Sequence, residues 1–304
     1  MNIYPPCEKL TGGPSTFCKN LLIFSSNFFR TSADCFVVIN APKKHLISII
    51  IDRFVKNKFM ILRLGSPLRS NLLEKKSILY DFKYLPSFLF MVFLTIFAND
   101  IVVQSNFTLG QWRSILPKYI IKKFRVIYNP QSFSAILPSE IDNGSSLNLI
   151  SVEGNQPSPS NSYALDVFNI LYNFNHCSLN LYGLFNNSEW RDITSEHLFL
   201  NGLVTKETLF EALNHSHVYI CSDNLTSSCP NSAIEALSFG LKVLAPVNTP
   251  AWELNSYVES YIKDHLDQVD VKKARIVASA ILFDPFVIFE SYFSVYCKSR
   301  SDAL

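Results

Sequence analysis

Short apolar runs typical of β-strands alternate with helical runs along most of this chain. In the second half the order is LNLISV, ALDVFNILYNF, LNLYGL, HLFLNGLV, KETLFEALNHS, VYICSD, SAIEALSFG and KVLAPV, and the first half contains FVVIN, KFMILRLG, DIVVQS and RVIYNP. Alternation of this kind predicts parallel sheets covered by helices. The strands are almost wholly apolar, as expected when both faces of a sheet are buried. The sequence therefore predicts an α/β protein with two doubly wound, Rossmann-like halves.

A polar stretch without periodicity separates these halves. Residues 129–146 read NPQSFSAILPSEIDNGSS, a composition typical of a linker. A chain of 304 residues also exceeds the size at which a single hydrophobic core usually stops growing. We therefore predict one domain over residues 1–131 and a second over 146–284. Within 274–297, ARIVASAILFDPFVIFESYFSVYC predicts two helices broken around Asp284-Pro285.

Composition excludes several classes of protein. Apolar residues make up 48% of the chain and the net charge is +2, so there is no domain-wide basic field and we expect no nucleic-acid partner. Seven cysteines without a Cys-x-x-Cys pair predict neither a disulfide framework nor a zinc site, and favour the reducing cytoplasm. The apolar run FLFMVFLTIFA at 88–98 is shorter than the roughly 20 residues that span a bilayer, and predicts a buried helix.

The segment SSCPNSAIEALSFGLKVLAP at 227–246 carries the strongest functional signal. It follows the strand VYICSD, at the carboxyl edge of a parallel sheet, where open α/β folds bind ligands. Ser232 and Glu235 have the spacing of a capping box, which would make this a well-formed helix start and nothing more. The same start would also present unpaired amides to a diphosphate, and Glu235 could accept hydrogen bonds from vicinal hydroxyls such as those of a ribose.

The segment SDNLTSSCPNSAIEALSFGLKVLAPVNTPAWEL resembles the nucleotide-sugar segment of retaining glycosyltransferases of the GT-B superfamily, the glycogen-synthase-like and lipopolysaccharide-type group. Glu235, Gly240 and Glu253 fall on family positions. Ser227 stands where the family usually has an acid that contacts the donor sugar, so the chain departs from the family there. The resemblance implies two Rossmann-like domains facing across a cleft, with 285–304 forming a helix that crosses back to the N-terminal, acceptor-side domain.

Other stretches extend the resemblance over most of the chain. KLTGGPSTFCKNL at 9–21 is similar to the family's Gly-Gly loop, and Gly12 and Gly13 would let the backbone approach donor or acceptor, although they also fit a plain turn. ISVEGN at 150–155 is similar to the first donor-domain strand and turn. The resemblance implies that the donor is bound by residues from several loops and helix starts. These are Gly12, Gly13, Asn155, Lys206, Ser228, Asn231, Ser232, Ala233 and Glu235.

Two basic residues carry open alternatives. The loop GNQPSPSNS lacks the Arg and Lys that family members commonly use against the diphosphate. Lys206 is the basic residue nearest to this loop and could contact the diphosphate. Alternatively, it is a solvated lysine in the first turn of a helix. Arg63, at the end of KFMILRL, could contact phosphate from the first domain or be a structural strand-end arginine. We take Arg63 and Glu235 as the candidate catalytic residues.

The resemblance implies a metal-independent enzyme without a cofactor that moves a sugar from a nucleotide-sugar donor to a glycan or lipid-linked acceptor, with retention at the anomeric carbon. The sequence contains no Asp-x-Asp and no histidines at ligand-like spacing, so it predicts no metal site. The rival interpretation is a non-catalytic GT-B-like protein that binds a nucleotide, a glycan or a partner subunit. PKYIIKKFR at 117–125 could rest on anionic lipid at the inner face of a membrane, or form a solvated face.

Overall fold

The computed structural model describes most of the chain in twelve stretches. They are residues 2–6, 8, 17–24, 34–40, 42–67, 78–131, 147–152, 162–174, 177–183, 196–221, 229–266 and 270–301. Of the predicted linker, 129–146, residues 132–146 lie outside them, so its boundaries stay a prediction.

Within the described stretches, ten strands form two sheets of five parallel strands. They are β1 (Asn2–Tyr4), β2 (Cys35–Ile39), β3 (Phe59–Leu64), β4 (Asp100–Val103), β5 (Phe124–Val126), β6 (Leu147–Val152), β7 (Cys177–Tyr182), β8 (Leu198–Gly202), β9 (Val218–Ile220) and β10 (Lys242–Leu244). The first sheet has the order β1-β2-β3-β4-β5 and the second β10-β9-β6-β7-β8. The prediction of two parallel α/β halves is confirmed.

Helices connect most of these strands. They are α1 (17–24), α2 (Leu46–Ile50, preceded by a 3₁₀ turn at Lys43–His45 and continued by a π-helical turn at Ile51–Val55), α3 (Ile78–Phe97), α4 (Asn106–Arg113), α5 (Lys118–Ile121), α6 (Ser162–Phe174), α7 (Lys206–Asn214), α8 (Asn231–Ser238), α9 (Pro250–His265), α10 (Val271–Leu282) and α11 (Pro285–Ser301).

The first sheet is buried on both faces, which explains its apolar strands. Alternate residues such as Val37 and Ile61 face α1 and α11, where Phe289 and Tyr292 complete the core. The intervening residues face the other way, toward α2, α3, α4 and α5, around the fully buried Trp112. Since β-strand side chains alternate between faces, one run of apolar residues supplies both cores.

The chain divides into two compact units. The first comprises Met1–Ser132, Thr226–Cys229 and Phe283–Leu304, and the second Phe133–Leu225 and Pro230–Leu282. The helix α11 therefore belongs to the first unit, and its core residues are those that face β2 and β3.

The predicted break at Asp284-Pro285 is confirmed. The Asp284 carboxylate accepts hydrogen bonds from the amides of Phe286 (2.8 Å) and Val287 (3.2 Å), and Pro285 opens α11. An acidic cap followed by proline at the first helical position is a strong helix start. By length and composition alone, Val271–Cys297 is the one stretch of the described residues that could cross a membrane, but this break divides it and 39% of its most apolar window is buried.

Two expectations need correction. The run at 88–98 is helical, but Leu89, Phe93 and Ile96 are exposed, so the predicted burial is wrong for that side of α3. The sequence predicts no disulfide framework, but Cys18 is disulfide-bonded. The remaining described cysteines form no disulfide; they are Cys35, Cys177, Cys221, Cys229 and Cys297.

Candidate functional site

The second sheet contains a point at which the strand order reverses. Strand β6 pairs with β7 on one side and with β9 on the other, and the chain reaches β9 only after completing β7 and β8. Open α/β sheets bind ligands beyond the carboxyl ends of the two strands at such a switch point. The first sheet runs in sequence order across its described strands and has no such reversal there. The switch point thus selects the segments that follow β6 and β9.

Helix α8 is the first described helix after β9, and its start differs from the predicted one. Its N-cap is Pro230, without a side-chain capping bond, so Ser232 is the second helical residue and the predicted capping box is wrong. The Pro230 carbonyl accepts the amides of Ala233 (3.1 Å) and Ile234 (3.3 Å). The amide of Ala233 is therefore already used within the helix, and the role of Ala233 in donor binding stays a prediction. Only the amides before it, on Asn231 and Ser232, precede the internal ladder of the helix.

The carboxylate of Glu235 points to the neighbouring helix. Its Oε1 atom lies 3.7 Å from Nζ of Lys206, and the two side chains are 18% and 61% exposed. The Lys206 ammonium also lies over the Phe210 ring, 4.8 Å from its centroid. Thr205 caps this helix by accepting the Thr208 amide, which fixes Lys206 at its first position. The second unit thus brings together two of the residues selected from the sequence, Lys206 and Glu235.

The pair is loosely held. A distance of 3.7 Å is too long for a good hydrogen bond, and the largely exposed Lys206 is well solvated. Exposed pairs of this kind contribute about 0 to 1 kcal/mol to stability. Lys206 can therefore leave Glu235 at small cost.

Arg63 belongs to the first unit and is 4% exposed. Its Nη2 atom donates to Oδ1 of Asn129 at 2.8 Å, and its guanidinium stacks 4.3 Å from the centroid of the Phe17 ring. The Nε atom is buried without a hydrogen bond. Tyr292 packs nearby, where burial raises the pKa of its hydroxyl to about 12 and the Arg63 charge opposes that rise. A guanidinium held in this way is costly unless an anion compensates it.

Asn129 is a residue that the sequence did not single out. Besides accepting from Arg63, it donates from Nδ2 to the carbonyl oxygen of Cys229 at 3.3 Å, directly before Pro230. The signal was an Asn-Pro pair at the end of the strand RVIY, which reads equally well as a turn. Asn129 therefore ties Arg63 to Cys229 within the first unit.

Several selected residues lie outside the described residues. They are Gly12, Gly13, Asn155 and Ser228. Gly240 ends α8 and Glu253 lies in the first turn of α9. Within the described part of the chain, no group of three or more His, Cys, Asp or Glu residues could hold a metal ion.

No family model and no curated protein matches this chain. Several solved structures match it. The chain is 14% identical to sucrose-phosphate synthase from Thermosynechococcus elongatus, with a TM-score of 0.59 over 94% of this chain and 79% of that one. It is 13% identical to Anabaena HepE in complex with UDP and glucose, with a TM-score of 0.56 over 87% and 78% of the two chains.

A third match is the lipopolysaccharide outer core galactosyltransferase WaaB in its apo form, at 14% identity and a TM-score of 0.54 over 93% and 80% of the two chains. At such identities the similarity establishes the architecture alone. Together with the two parallel sheets, it shows that this chain has the GT-B fold, built from two Rossmann-like α/β domains.

Proposed function

We propose that this chain is a glycosyltransferase that moves a sugar from a nucleotide-sugar donor to a hydroxyl of a glycan or of a lipid-linked acceptor. The observation that supports this most is the switch point of the second sheet, which is followed by α8 with Glu235 one turn inside it. A helix start at such a point suits a diphosphate, and a carboxylate beyond it suits a ribose. The fold is shared with enzymes that use such donors, including HepE in complex with UDP-glucose.

In this proposal the Lys206–Glu235 pair opens when the donor binds. Glu235 accepts hydrogen bonds from the ribose hydroxyls, and Lys206 turns toward the negative diphosphate. The amides of Asn231 and Ser232, ahead of the first internal bond of α8, supply further positive potential. The residues Gly12, Gly13, Asn155 and Ser228 remain proposed donor contacts.

The transfer itself needs no metal in this proposal. The acceptor hydroxyl attacks the anomeric carbon on the face that the nucleotide leaves, the bond to the diphosphate breaks, and the departing phosphate oxygen takes the proton. The protein contributes positioning and stabilisation of the diphosphate charge, with Arg63 as the proposed second cation. The sugar is transferred with retention, on the cytoplasmic side of the cell.

Donor binding tests the proposal. Thermal shift and calorimetric titration with UDP-glucose, UDP-galactose, UDP and GDP-mannose should give a response for at least one nucleotide, and Glu235→Gln should abolish it. The control is Glu211→Gln, an exposed glutamate on α7 of the same unit, which should bind as the wild type does. If Glu235 serves only the helix, Glu235→Gln lowers stability and leaves binding intact.

Turnover separates the enzyme from its non-catalytic rival. Slow release of UDP from the responding UDP-sugar in the absence of an acceptor is expected, and its rate should not change when EDTA is added. Loss of turnover in EDTA would contradict metal independence. No response to any uridine or guanosine diphosphate at millimolar concentration would overturn the proposal in favour of a non-catalytic binding protein.

A further inference from the structure

One side of the first unit exposes apolar residues from two adjoining helical segments. On α2 and its π-helical continuation, Ile49 and Asp52 face inward, and the side chains between them point to solvent. On α3, Leu94 and Ala98 face the sheet, and the opposite stripe is exposed. We call the exposed set the apolar face: Ile47, Ile50, Ile51, Phe54, Val55, Leu85, Leu89, Phe93 and Ile96, each at least 38% exposed.

The two segments are in direct contact, so the apolar face is continuous. The Phe54 ring packs edge-on against Phe97 with centroids 5.2 Å apart, and Arg53 donates from Nε to the Phe97 carbonyl at 3.0 Å. Phe93 in turn lies 4.7 Å from Phe97. Leu85, Leu89, Phe93 and Ile96 are spaced by three and four residues and therefore line one side of α3. Patches of this many large apolar side chains mark interaction or membrane sites.

Several lysines lie at the edges of the apolar face. Lys43 and Lys44 are exposed on the turn that leads into α2, and Lys56 follows its end. Lys123 donates to the carbonyls of Ile96 (2.8 Å) and Ala98 (2.9 Å) at the end of α3. Across residues 42–67, 85–99 and 117–125 the only acid is Asp52, which is buried and paired with Lys56 and Lys58.

We propose that the apolar face binds a bilayer rich in anionic lipid. An apolar surface edged by lysines, with no exposed carboxylate within residues 46–55 or 85–97 that form it, is complementary to acyl chains beneath negative headgroups. A second copy of the chain fits less well, because a two-fold contact would bring lysines against lysines. The apolar part of α3, Leu85–Phe97, is too short to span a bilayer and lies along its surface.

Vesicle sedimentation tests the proposal without any donor or acceptor, so its outcome is independent of the proposed transferase activity. The full chain should bind vesicles of phosphatidylcholine with about one quarter phosphatidylglycerol, bind pure phosphatidylcholine much less, and lose binding at about 0.5 M NaCl. The variant Ile47→Ser/Val55→Ser should lower the partition coefficient at least about tenfold. These two residues are 74% and 75% exposed, so the substitution leaves no cavity.

Two further variants control the experiment. Ile170→Ser/Val277→Ser removes two exposed apolar residues from α6 and α10 of the second unit and should bind as the wild type does. Lys43→Gln/Lys44→Gln should weaken binding to anionic vesicles without touching the apolar face, and circular dichroism confirms that each variant is folded. Absence of wild-type binding, equal binding to neutral vesicles, or a wild-type dimer that only Ile47→Ser/Val55→Ser dissociates would overturn the proposal.

Discussion

Arg125 on β5 holds Asp100 on the neighbouring strand β4 through two nitrogens of its guanidinium, Nε and Nη2. The same group donates from Nη1 to the Ser291 carbonyl at 2.8 Å and from Nη2 to the Tyr292 carbonyl at 3.2 Å. One side chain thus joins the first sheet to the final helix α11. Asp100 is 3% exposed, so its charge depends on this partner.

Arg125→Met should destabilise the first unit by about 3 kcal/mol, because it leaves the buried Asp100 carboxylate without its counter-charge. Urea unfolding followed by circular dichroism measures the loss. Asp100→Asn/Arg125→Met should recover part of it, since neither charge remains. The exposed Arg113 on α4 provides the control, and Arg113→Met should stay within about 0.5 kcal/mol of the wild type. If Arg125→Met and Arg113→Met destabilised the protein equally, Arg125 would not be joining the first sheet to α11.

Asp52 makes the stability of the first unit depend on pH. Burial alone would raise the pKa of its carboxyl, but hydrogen bonds from Asn2 (2.7 Å) and Tyr4 (2.9 Å), with Lys56 and Lys58, lower the pKa to about 2. The unfolded chain has a pKa of about 3.9 at this residue. The stabilisation is therefore complete above about pH 4 and is lost as the pH falls toward 2, by about 2 kcal/mol in total.

The comparison is between wild type and Asp52→Asn across pH 2 to 7. The wild type should lose stability between about pH 4 and pH 2, and the variant should be less stable near neutrality and lack that loss. Asp264→Asn, an exposed carboxylate on α9, should follow the wild-type profile. Parallel profiles of stability against pH for the wild type and Asp52→Asn would show that the Asp52 carboxylate does not stabilise the first unit through its bonds to Asn2 and Tyr4 of β1.

Gly240 is needed both for its backbone conformation and for the space it leaves. It has φ of +79°, its amide bonds the Leu237 carbonyl, and the Leu241 amide bonds the Ala236 carbonyl, which is the Schellman end of α8. A Cβ atom there would lie 2.5 Å from Cγ of Lys272 and 2.6 Å from its carbonyl oxygen.

Gly240→Ala should therefore cost more than about 2 kcal/mol, from the left-handed conformation and the clash together. Gly110→Ala makes the same chemical change inside α4, where nothing lies within 4 Å, and should stabilise by about 0.5 to 1 kcal/mol. Gly202 has φ of +68° and open space around it, so Gly202→Ala should lower stability only through the left-handed backbone conformation. Melting temperatures of the three variants check the order, and a neutral Gly240→Ala would refute it.

The fold could be predicted from local pattern, because buried parallel strands and amphipathic helices leave periodic signatures. Strand order could not, since the pairing of β6 with β9 joins residues 149 and 218, and no local signal encodes that contact. The switch point that selects the candidate site therefore emerged only in three dimensions.

The wrong predictions for the start of α8 and for the burial of α3 have similar causes. Ser232 and Glu235 have capping-box spacing, but Pro230 fixes a backbone angle suited to the N-cap, and the helix starts there instead. On α3, hydrophobicity was read as burial, yet a helix that is apolar all round can leave one side uncovered. Both outcomes depend on what packs against the helix, which single-sequence patterns do not report.

Substitution of Arg63 tests whether this arginine has a structural or a functional role. Arg63 is buried, its Nε has no hydrogen bond, and its described neighbours include the Asn129 amide oxygen, the Phe17 ring and the Tyr292 hydroxyl, none of which is a carboxylate. Methionine has a similar length and fits an apolar site, and replacing a buried charge in this way is often neutral or stabilising. Arg63→Met should therefore change the melting temperature little, or raise it.

The same substitution should lower turnover of the nucleotide sugar at least about tenfold, because the protein would lose a cation proposed to stabilise the diphosphate. Arg63→Lys keeps the charge without the planar fork and should recover only part of the rate. An Arg63→Met variant that melts early and keeps the proposed turnover once folded would reverse the assignment and make Arg63 a structural residue. Stable but inactive protein is the combination expected here, since the Arg63 charge is proposed to act on the diphosphate and not to stabilise the fold.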